Sequence, residues 1–358
     1  MEFSQIAKAQ FTKQLTTWHA NDNNRDLPWK SEKDPYKIWF SEVILQQTRA
    51  LQALPYYLRF METYPTITDM ANAPDDDVFR MWQGLGYYNR CKNMLGTARI
   101  VAHEYNGKFP IKHEDIINLK GIGPYTAAAI ASFAFGLPHA VVDGNVNRVL
   151  SRYFGIDTPY DTTEGKKLFA GLAQELLDTQ NSAAYNQAIM DLGATVCTPR
   201  NTQCNQCPLQ KNCVAFHQSL VDVLPVKVKK ITVKKRYFNY ILLEHDGSIW
   251  IEKRTGNDIW ENLHEPILIE TPQQIEAEEL KHNIHFTGLG LKNSLTHYKG
   301  SSTQRLTHQL IYASFYSISL SEKPDMAYRT GNWLDTHQLK KTAFPKTVVS
   351  FLENNLYF

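Results

Sequence analysis

The sequence predicts two domains of different class: a mainly α domain over residues 1–222 and a smaller α+β domain over 236–350, joined by a basic linker at 223–235. Three observations predict this. Up to about residue 222, apolar residues recur at helical spacing and few stretches alternate as strands do. After Pro225 the composition turns to β-branched and aromatic runs with a hairpin signal between them. Four cysteines, Cys197, Cys204, Cys207 and Cys213, close the helical part. A chain of 358 residues holds two such domains, each able to bury its own core.

In the first domain Ile38, Trp39, Val43, Ile44 and Leu45 have helical spacing, and Val78, Trp82 and Leu85 form another helical face. Thr126 to Phe135 is rich in alanine, a strong helix former. Pro65, Pro74, Gly84, Gly86, Pro110 and Gly136 punctuate these runs, so many short helices are expected. In the second domain Tyr237–Ile241 and Ile249–Ile251 read as strands. Asp246-Gly247 between them favours a two-residue hairpin turn. Gln309 to Leu320 is again strand-like. No internal repeat is present.

The net charge of +2 does not by itself announce a nucleic-acid partner. Local charge says more: Lys227, Lys229, Lys230, Lys234, Lys235 and Arg236 fall within ten residues. A solvated linker and a phosphate contact both fit that run. No window is long and apolar enough to span a membrane. Met1 to Trp18 lacks the apolar stretch of a signal peptide, so an intracellular, reducing setting is expected. Residues 351–358 read as a tail: Glu353 to Phe358 (ENNLYF) resembles part of an expression-tag protease site.

The four cysteines are separated by six, two and five residues, and Pro208 follows the third. Thiols grouped this tightly suit a soft metal centre or an iron–sulfur cluster. A zinc ribbon usually shows two Cys-x-x-Cys pairs far apart, whereas one pair and two single cysteines stand here. An iron–sulfur cluster fits better; zinc and a pair of disulfides are the alternatives. Cys91 lies outside the group and has no expected role.

Leu119-Lys120-Gly121-Ile122-Gly123-Pro124-Tyr125-Thr126 joins two helical segments. Two glycines around one apolar residue allow a tight turn with positive φ, Ile122 can plug the turn into the core, and Pro124 suits the first turn of the next helix. Free amides at that helix start can bind a phosphate oxygen. Val141-Val142-Asp143-Gly144-Asn145-Val146 follows about twenty residues later. Asp143 there suits a helix N-cap.

This order of glycine hairpin, helix, loop and aspartate resembles the helix-hairpin-helix DNA glycosylase superfamily. The cysteine group resembles the [4Fe–4S] motif of its endonuclease III and MutY branches. Leu27-Pro28-Trp29, Ser41-Glu42-Val43-Ile44-Leu45-Gln46-Gln47-Thr48 and Gly84-Leu85-Gly86-Tyr87-Tyr88 look specifically like the MutY-type adenine DNA glycosylases. The likeness spans nearly all of 1–222, with five motifs in the family's order.

The resemblance implies a base-excision repair enzyme that removes adenine mispaired with 8-oxoguanine, or with guanine, from duplex DNA. It implies Glu42 as general acid, Asp143 as the carboxylate beside the sugar cation, and Tyr125 and Asn145 as orienting groups. Cleaving the N-glycosidic bond needs a neutral acid and a charged one in different surroundings. Glu42 lies in the apolar run Ile38–Leu45, so burial should raise its pKa; helix amides at Asp143 should hold that carboxyl low. Endonuclease III-like relatives carry a Schiff-base lysine where Tyr125 stands, which implies a monofunctional enzyme. An endonuclease III-like lyase and a non-catalytic iron–sulfur DNA sensor are the alternatives.

Gln47 and Tyr87 match the family's wedge residues, and Trp29, Lys30 and Gln187 match positions around the flipped adenine. Gly121 and Gly123 would face phosphate, with Lys120 beside them, and the cysteine group would carry a loop with Arg200 and Lys211 towards phosphate. Residues 236–350 resemble the Nudix-like 8-oxoguanine recognition domain of the family. Its Phe-Ser-His loop corresponds here to Leu306-Thr307-His308, a departure at two of three residues. Glu276, Glu278 and Glu279 lack the Arg-Glu pair and spacing of a working Nudix box, so no pyrophosphatase activity is expected. A monomer acting on nucleoid DNA in a bacterial cytoplasm completes the expectation.

Overall fold

The computed structural model describes residues 4–228, 232–289, 296–355 and 357. Lys229 and Lys230 of the basic run lie outside the described residues. The chain divides into two compact units, Met1–Ala71 with Asn93–Lys229, and Asn72–Lys92 with Lys230–Phe358. The helices are α1 (Gln5–Asn21), α2 (Pro35–Leu45), α3 (Ala50–Thr63), α4 (Ile67–Asn72), α5 (Asp75–Trp82), α6 (Asn89–Glu104), α7 (His113–Ile117), α8 (Pro124–Phe135), α9 (Gly144–Phe154), α10 (Thr163–Leu176), α11 (Ser182–Thr195) and α12 (Val214–His217). The second part of the chain forms β1 (Lys234–His245), β2 (Ser248–Lys253), β3 (His264–Glu265), β4 (Ile267–Thr271), α13 (Ala277–Lys281), α14 (Ile284–Thr287), β5 (His297–Arg305), β6 (Gln309–Ser319), β7 (Gly331–Asp335), α15 (Thr336–Lys341) and α16 (Lys346–Asn354). No described helix is long and apolar enough to cross a membrane.

Local chemistry sets the helix ends of the first unit. Asp34 caps α2 through the Tyr36 amide at 2.9 Å, and Pro35 supplies a preset φ at the first helical position. α2 then buries nearly every residue from Tyr36 to Ile44, because it packs on both α3 and α8. α8 and α9 each end on a left-handed glycine, Gly136 and Gly155. Phe11, Leu15, Val146, Leu150, Ile189 and Leu192 join α1, α9 and α11 in one core. Two short 3₁₀ turns, Cys204–Gln206 and Gln210–Asn212, carry the cysteine loop towards α12, which packs on α9.

The second unit is a seven-stranded sheet in the order β3-β2-β1-β6-β5, with β4 also pairing β1 and β7 pairing β2. β1 and β6 run parallel from Lys234 opposite Gln309 to Glu244 opposite Ser319. β1 and β2 form the expected hairpin, and Asp246 (φ 45) and Gly247 (φ 72) both take the left-handed conformation of its turn. One side is packed by Ile241, Leu243, Trp250, Ile267, Phe286 and Ile318.

The structure departs from the sequence reading at three places. Residues 72–92, expected in the first domain, group with the second unit. Their side chains explain it: Asp76 pairs with Lys253 at 2.6 Å, Gln83 accepts from the Phe344 amide, and Lys92 pairs with Glu261 at 2.8 Å. Arg236, read as part of a linker or phosphate contact, is buried inside β1. Its guanidinium pairs with Asp258 at 2.8 Å and Glu270 at 2.6 Å. The segment set aside as a tail is folded: α16 runs through 351–354, Phe351 stacks on Phe315 at 3.9 Å, Leu352 is buried, and the Tyr357 hydroxyl donates to Glu244.

Arg254 and Glu265 form an ion pair at 2.7 Å, with both side chains only 9% exposed. Removing one partner of such a pair leaves an uncompensated buried charge, at a cost of about 3 kcal/mol. Arg254→Met should lower stability by roughly that amount in urea unfolding, and Glu265→Gln in the same chain should restore much of it.

Candidate active site

Glu42 sits in the middle of α2 and is 5% exposed. Tyr125, in the first turn of α8, reaches across and donates its hydroxyl to Glu42 Oε2 at 2.5 Å. Burial is the largest influence on the Glu42 carboxyl. The Tyr125 bond opposes it and the Asp143 charge reinforces it, and the result is a pKa pushed up to about 7. The direction is the one expected of a buried acid, and it leaves a substantial fraction of Glu42 protonated near neutral pH. Tyr125 itself is held well above the ordinary phenol range by burial and by the Glu42 and Asp143 charges, so it stays a donor. The Asp143 charge acts on both Glu42 and Tyr125 and raises the pKa of each.

Asp143 caps α9. One carboxylate oxygen accepts from the Val146 amide at 2.8 Å and the other from Asn145 Nδ2 at 2.7 Å. The expectation of a lowered pKa does not hold. Burial outweighs the amide bonds and the Arg148 charge, and the carboxyl is shifted upwards from its ordinary value.

Asn145 is held in turn by Arg148, a residue the sequence reading missed. Arg148 Nη2 donates to Asn145 Oδ1 at 2.8 Å and to the Gly193 carbonyl at 2.7 Å, and Nε donates to the Cys197 carbonyl at 2.6 Å. Its position three residues after Asn145 on an amphipathic helix was the available signal. Gly193 lets α11 approach this site. A Cβ there would lie 2.6 Å from Asn145 Cβ and 3.1 Å from its backbone.

Trp29 is buried edge-on against Tyr57 at 5.2 Å. Lys30 and Gln187 are brought together by Asp191, which the sequence reading also missed. Asp191 is fully buried, pairs with Lys30 at 2.7 Å and Arg25 at 2.8 Å, and accepts from Asn23 at 2.7 Å and Gln187 at 3.2 Å. Burial alone would raise its carboxyl, but the bonds from Lys30, Asn23 and Arg25 hold it below the ordinary range. An acid inside Ala188-Ile189-Met190-Asp191-Leu192, four residues after Gln187, was the sequence signal. Lys30 and Gln187 line a cavity of about 530 Å³ whose wall does not include Glu42.

The glycine hairpin forms as expected in part. Gly121 takes a positive φ of 76 and Ile122 is buried. Gly123 has an ordinary φ of −96 and caps α8 without a side chain, and a Cβ there would meet only open space. Its use is therefore access to the α8 amides rather than turn formation. Lys120, Arg200 and Lys211 are exposed.

Gln47 is exposed just after α2, with φ 56. Tyr87 is 44% exposed with φ 50, and its hydroxyl is 2.6 Å from Thr307 Oγ1. Both candidate wedge residues thus hold a left-handed backbone that non-glycine residues seldom adopt. Leu306-Thr307-His308 forms the turn between β5 and β6, with His308 exposed at its tip. With Tyr87, Arg90 and Trp260 this turn lines a cavity of about 860 Å³ in the second unit. Glu278, on the short α13, pairs with Lys281 at 2.7 Å.

All five cysteines are free, so the two-disulfide alternative is not what this fold forms. Cys197, Cys204, Cys207 and Cys213 line one small cavity with Arg152, Thr202 and Phe216. Arg152 donates to Cys197 Sγ at 3.4 Å and to the Thr198 carbonyl at 2.8 Å. Among the described residues no three His, Cys, Asp or Glu side chains converge on a point that would hold a single metal ion. The four thiols line this cavity together, and the Arg152 guanidinium lies beside Cys197. That donor set fits an iron–sulfur cluster.

Comparison with known proteins bears on the whole chain. Residues 40–174 match the HhH-GPD superfamily of base excision DNA repair proteins, and residues 239–354 match the NUDIX domain. An adenine DNA glycosylase of Buchnera aphidicola subsp. Schizaphis graminum is 32% identical, over 96% of this chain and 98% of its own length. Among solved structures, a thermostable thymine-DNA glycosylase aligns with a TM-score of 0.55 and 30% identity, over 60% of this chain and 98% of that one. Endonuclease III trapped as a covalent intermediate with DNA aligns with a TM-score of 0.53 over 61% of this chain and all of that one. At 19% identity this shows the fold alone.

The raised Glu42 pKa has a consequence for stability. The unfolded chain releases this proton near pH 4.5 while the folded chain keeps it to about 7, so Glu42 destabilises the fold progressively as pH rises across that window. Glu42→Gln does not titrate. Its stability relative to the parent should rise by up to about 3 kcal/mol from pH 4.5 to 7.5 in urea unfolding. Gly193→Ala should cost about 1–3 kcal/mol by overpacking against Asn145. It should also lower the single-turnover excision rate, by moving Asn145 against Asp143.

Proposed function

Because the chain belongs to the adenine DNA glycosylase family of base-excision repair hydrolases, which act on N-glycosyl bonds, we propose that it removes adenine mispaired with 8-oxoguanine or guanine in duplex DNA and leaves the strand uncut. The observation that carries this reading is a buried carboxyl, Glu42, bonded to the Tyr125 hydroxyl, with its pKa raised by burial and by the Asp143 charge.

The bond between the sugar C1′ and adenine N9 breaks with its electron pair going to the base. Glu42 gives its proton to an adenine ring nitrogen, so the base leaves uncharged. Tyr125 remains a donor to the glutamate oxygen left charged. Cation character grows on the sugar beside Asp143. That positive charge opposes the effect of burial on Asp143 and favours its ionised form when it is needed. Water then adds to C1′ and gives up its proton to a carboxylate, which yields an abasic site.

Asn145 and Arg148 fix Asp143 from behind. Trp29, Lys30 and Gln187, the last two ordered by Asp191, surround the extruded adenine. Extrusion costs a few kcal/mol, and Gln47 and Tyr87 fill the gap it leaves. The hairpin at Gly121 and Gly123 and the open amides at the α8 N-terminus hold a phosphate. Leu306, Thr307 and His308 read the opposing 8-oxoguanine at an exposed hairpin tip. Cys197, Cys204, Cys207 and Cys213 would hold a [4Fe–4S] cluster, which supplies a covalent tie for the loop carrying Arg200 and Lys211. Hydrolysis of this bond needs no electron transfer. The enzyme acts as a monomer on nucleoid DNA.

An endonuclease III-like lyase is the second reading. It requires an amine at the sugar. Tyr125 has none, and Lys120 lies on the exposed side of the hairpin. The deciding experiment incubates the protein with duplexes containing A opposite 8-oxoguanine, G or T, followed by alkali. Cleavage at the adenine strand is expected opposite 8-oxoguanine and G. Glu42→Gln and Asp143→Asn should each lower the single-turnover rate by about 10²–10⁴ with binding retained. The parent rate should fall above pH 7 as Glu42 ionises. Strong borohydride trapping on abasic DNA would favour the lyase, and parent-like rates in both variants would overturn the roles.

A further inference from the structure

Tyr87 belongs to a segment wound against the usual preference of the chain. Gly84 (φ 98), Gly86 (φ 73) and Tyr87 (φ 50) are all left-handed within four residues. Tyrosine pays a steric penalty there that glycine does not, so the neighbours must impose the conformation. Trp82 supplies one restraint. Its ring is fully buried, and Nε1 donates to the Gly86 carbonyl at 3.0 Å.

Arg90 supplies several more. It lies at the start of α6 and is 9% exposed. The side chain folds back under the loop, and Nη2 donates to the Gly86 carbonyl at 3.2 Å and the Leu85 carbonyl at 3.4 Å. The guanidinium carbon lies 5.2 Å from the Trp82 ring centroid and 5.4 Å from that of Tyr87. One planar cation therefore meets two aromatic rings and two carbonyls at once. The Arg90 amide also donates to the Tyr87 carbonyl at 2.8 Å, which closes the turn. Lysine could not reproduce this, because an ammonium lacks the flat fork that stacks while donating sideways. Burial lowers the Arg90 pKa to about 10, which leaves it charged at neutral pH.

From this geometry we infer that Arg90 is the positioning residue of the wedge: its guanidinium holds the Tyr87 ring preset for insertion between base pairs. An aromatic ring inserted into a duplex pays less when its backbone and rotamer are already ordered. The far end of Tyr87 meets Thr307, so the ring is steadied by a cation near its base and by a hydroxyl at its tip. The inference rests on the proposed wedge role of Tyr87.

The test measures extrusion rather than turnover. A duplex carries 2′-fluoro-2′-deoxyadenosine opposite 8-oxoguanine, which resists cleavage because fluorine disfavours the sugar cation. 2-Aminopurine is placed beside the target, and its fluorescence rises when the neighbour unstacks. Arg90→Lys and Arg90→Gln should each lower the extrusion equilibrium by about tenfold, with the thermal midpoint close to that of the parent. Each is then repeated with Tyr87→Leu. In that background the Arg90 substitutions should have no further effect.

Parent-like extrusion by both Arg90 variants overturns the inference. So do losses that simply add to those of Tyr87→Leu, and so does failure of both variants to fold, which would make the role purely structural. If Tyr87→Leu alone extrudes like the parent, the wedge reading falls instead.

Discussion

A carboxyl buried where α2 packs on α3 and α8 is the constraint around which the first unit is arranged. From Ile38 to Ile44 every residue of α2 is buried, and the helix packs on α3 and α8. An ionised glutamate would be costly there, and Glu42 answers by holding its proton to about pH 7. Tyr125 satisfies the group without neutralising it, since a phenol donates to a carboxyl but brings no cation. A lysine or arginine at that place would have pulled the pKa the other way. The pKa of Glu42 is raised because burial and the Asp143 charge outweigh the Tyr125 hydrogen bond.

Asp143 shows the same physics with a different balance. It begins a helix, so amide donors favour its charge, yet burial still moves its pKa upwards. The two acids therefore differ by degree of solvation and by donors. Behind Asp143, the bonds through Asn145 and Arg148 end on the backbone carbonyls of Gly193 and Cys197. The cysteine loop and the candidate catalytic aspartate are thus joined by one chain of hydrogen bonds, and the missing side chain at Gly193 lets α11 lie against Asn145 within it.

In the second unit, position within the sheet overrides composition. Lys234, Lys235 and Arg236 look equivalent as a run of charge. Once β1 forms, Lys235 is exposed and Arg236 is buried between Asp258 and Glu270. A run of like charges therefore contains a structural ion pair, which no count of lysines and arginines could reveal. The last helix makes a similar point. A terminus resembling a tag follows residues such as Phe351 and Leu352, whose apolar side chains close the core.

The parts legible in the sequence are those set by neighbours along the chain. Asp246-Gly247 demands a tight hairpin turn, Asp143 offers an oxygen to amides three residues on, and an apolar run around Glu42 announces a desolvated acid. The helical and α+β classes, the glycine hairpin and the grouped cysteines follow from the same short-range rules. Tertiary structure alone decided the partners. Tyr125 meets Glu42 across 83 residues, Asp191 gathers Asn23, Arg25 and Lys30 across more than 160, and residues 72–92 join the sheet rather than the helices around them in sequence. Spacing along a helix or strand fixes which face a side chain takes. What lies opposite that face depends on how distant segments pack, and for buried charges that partner sets the protonation state and hence the chemistry.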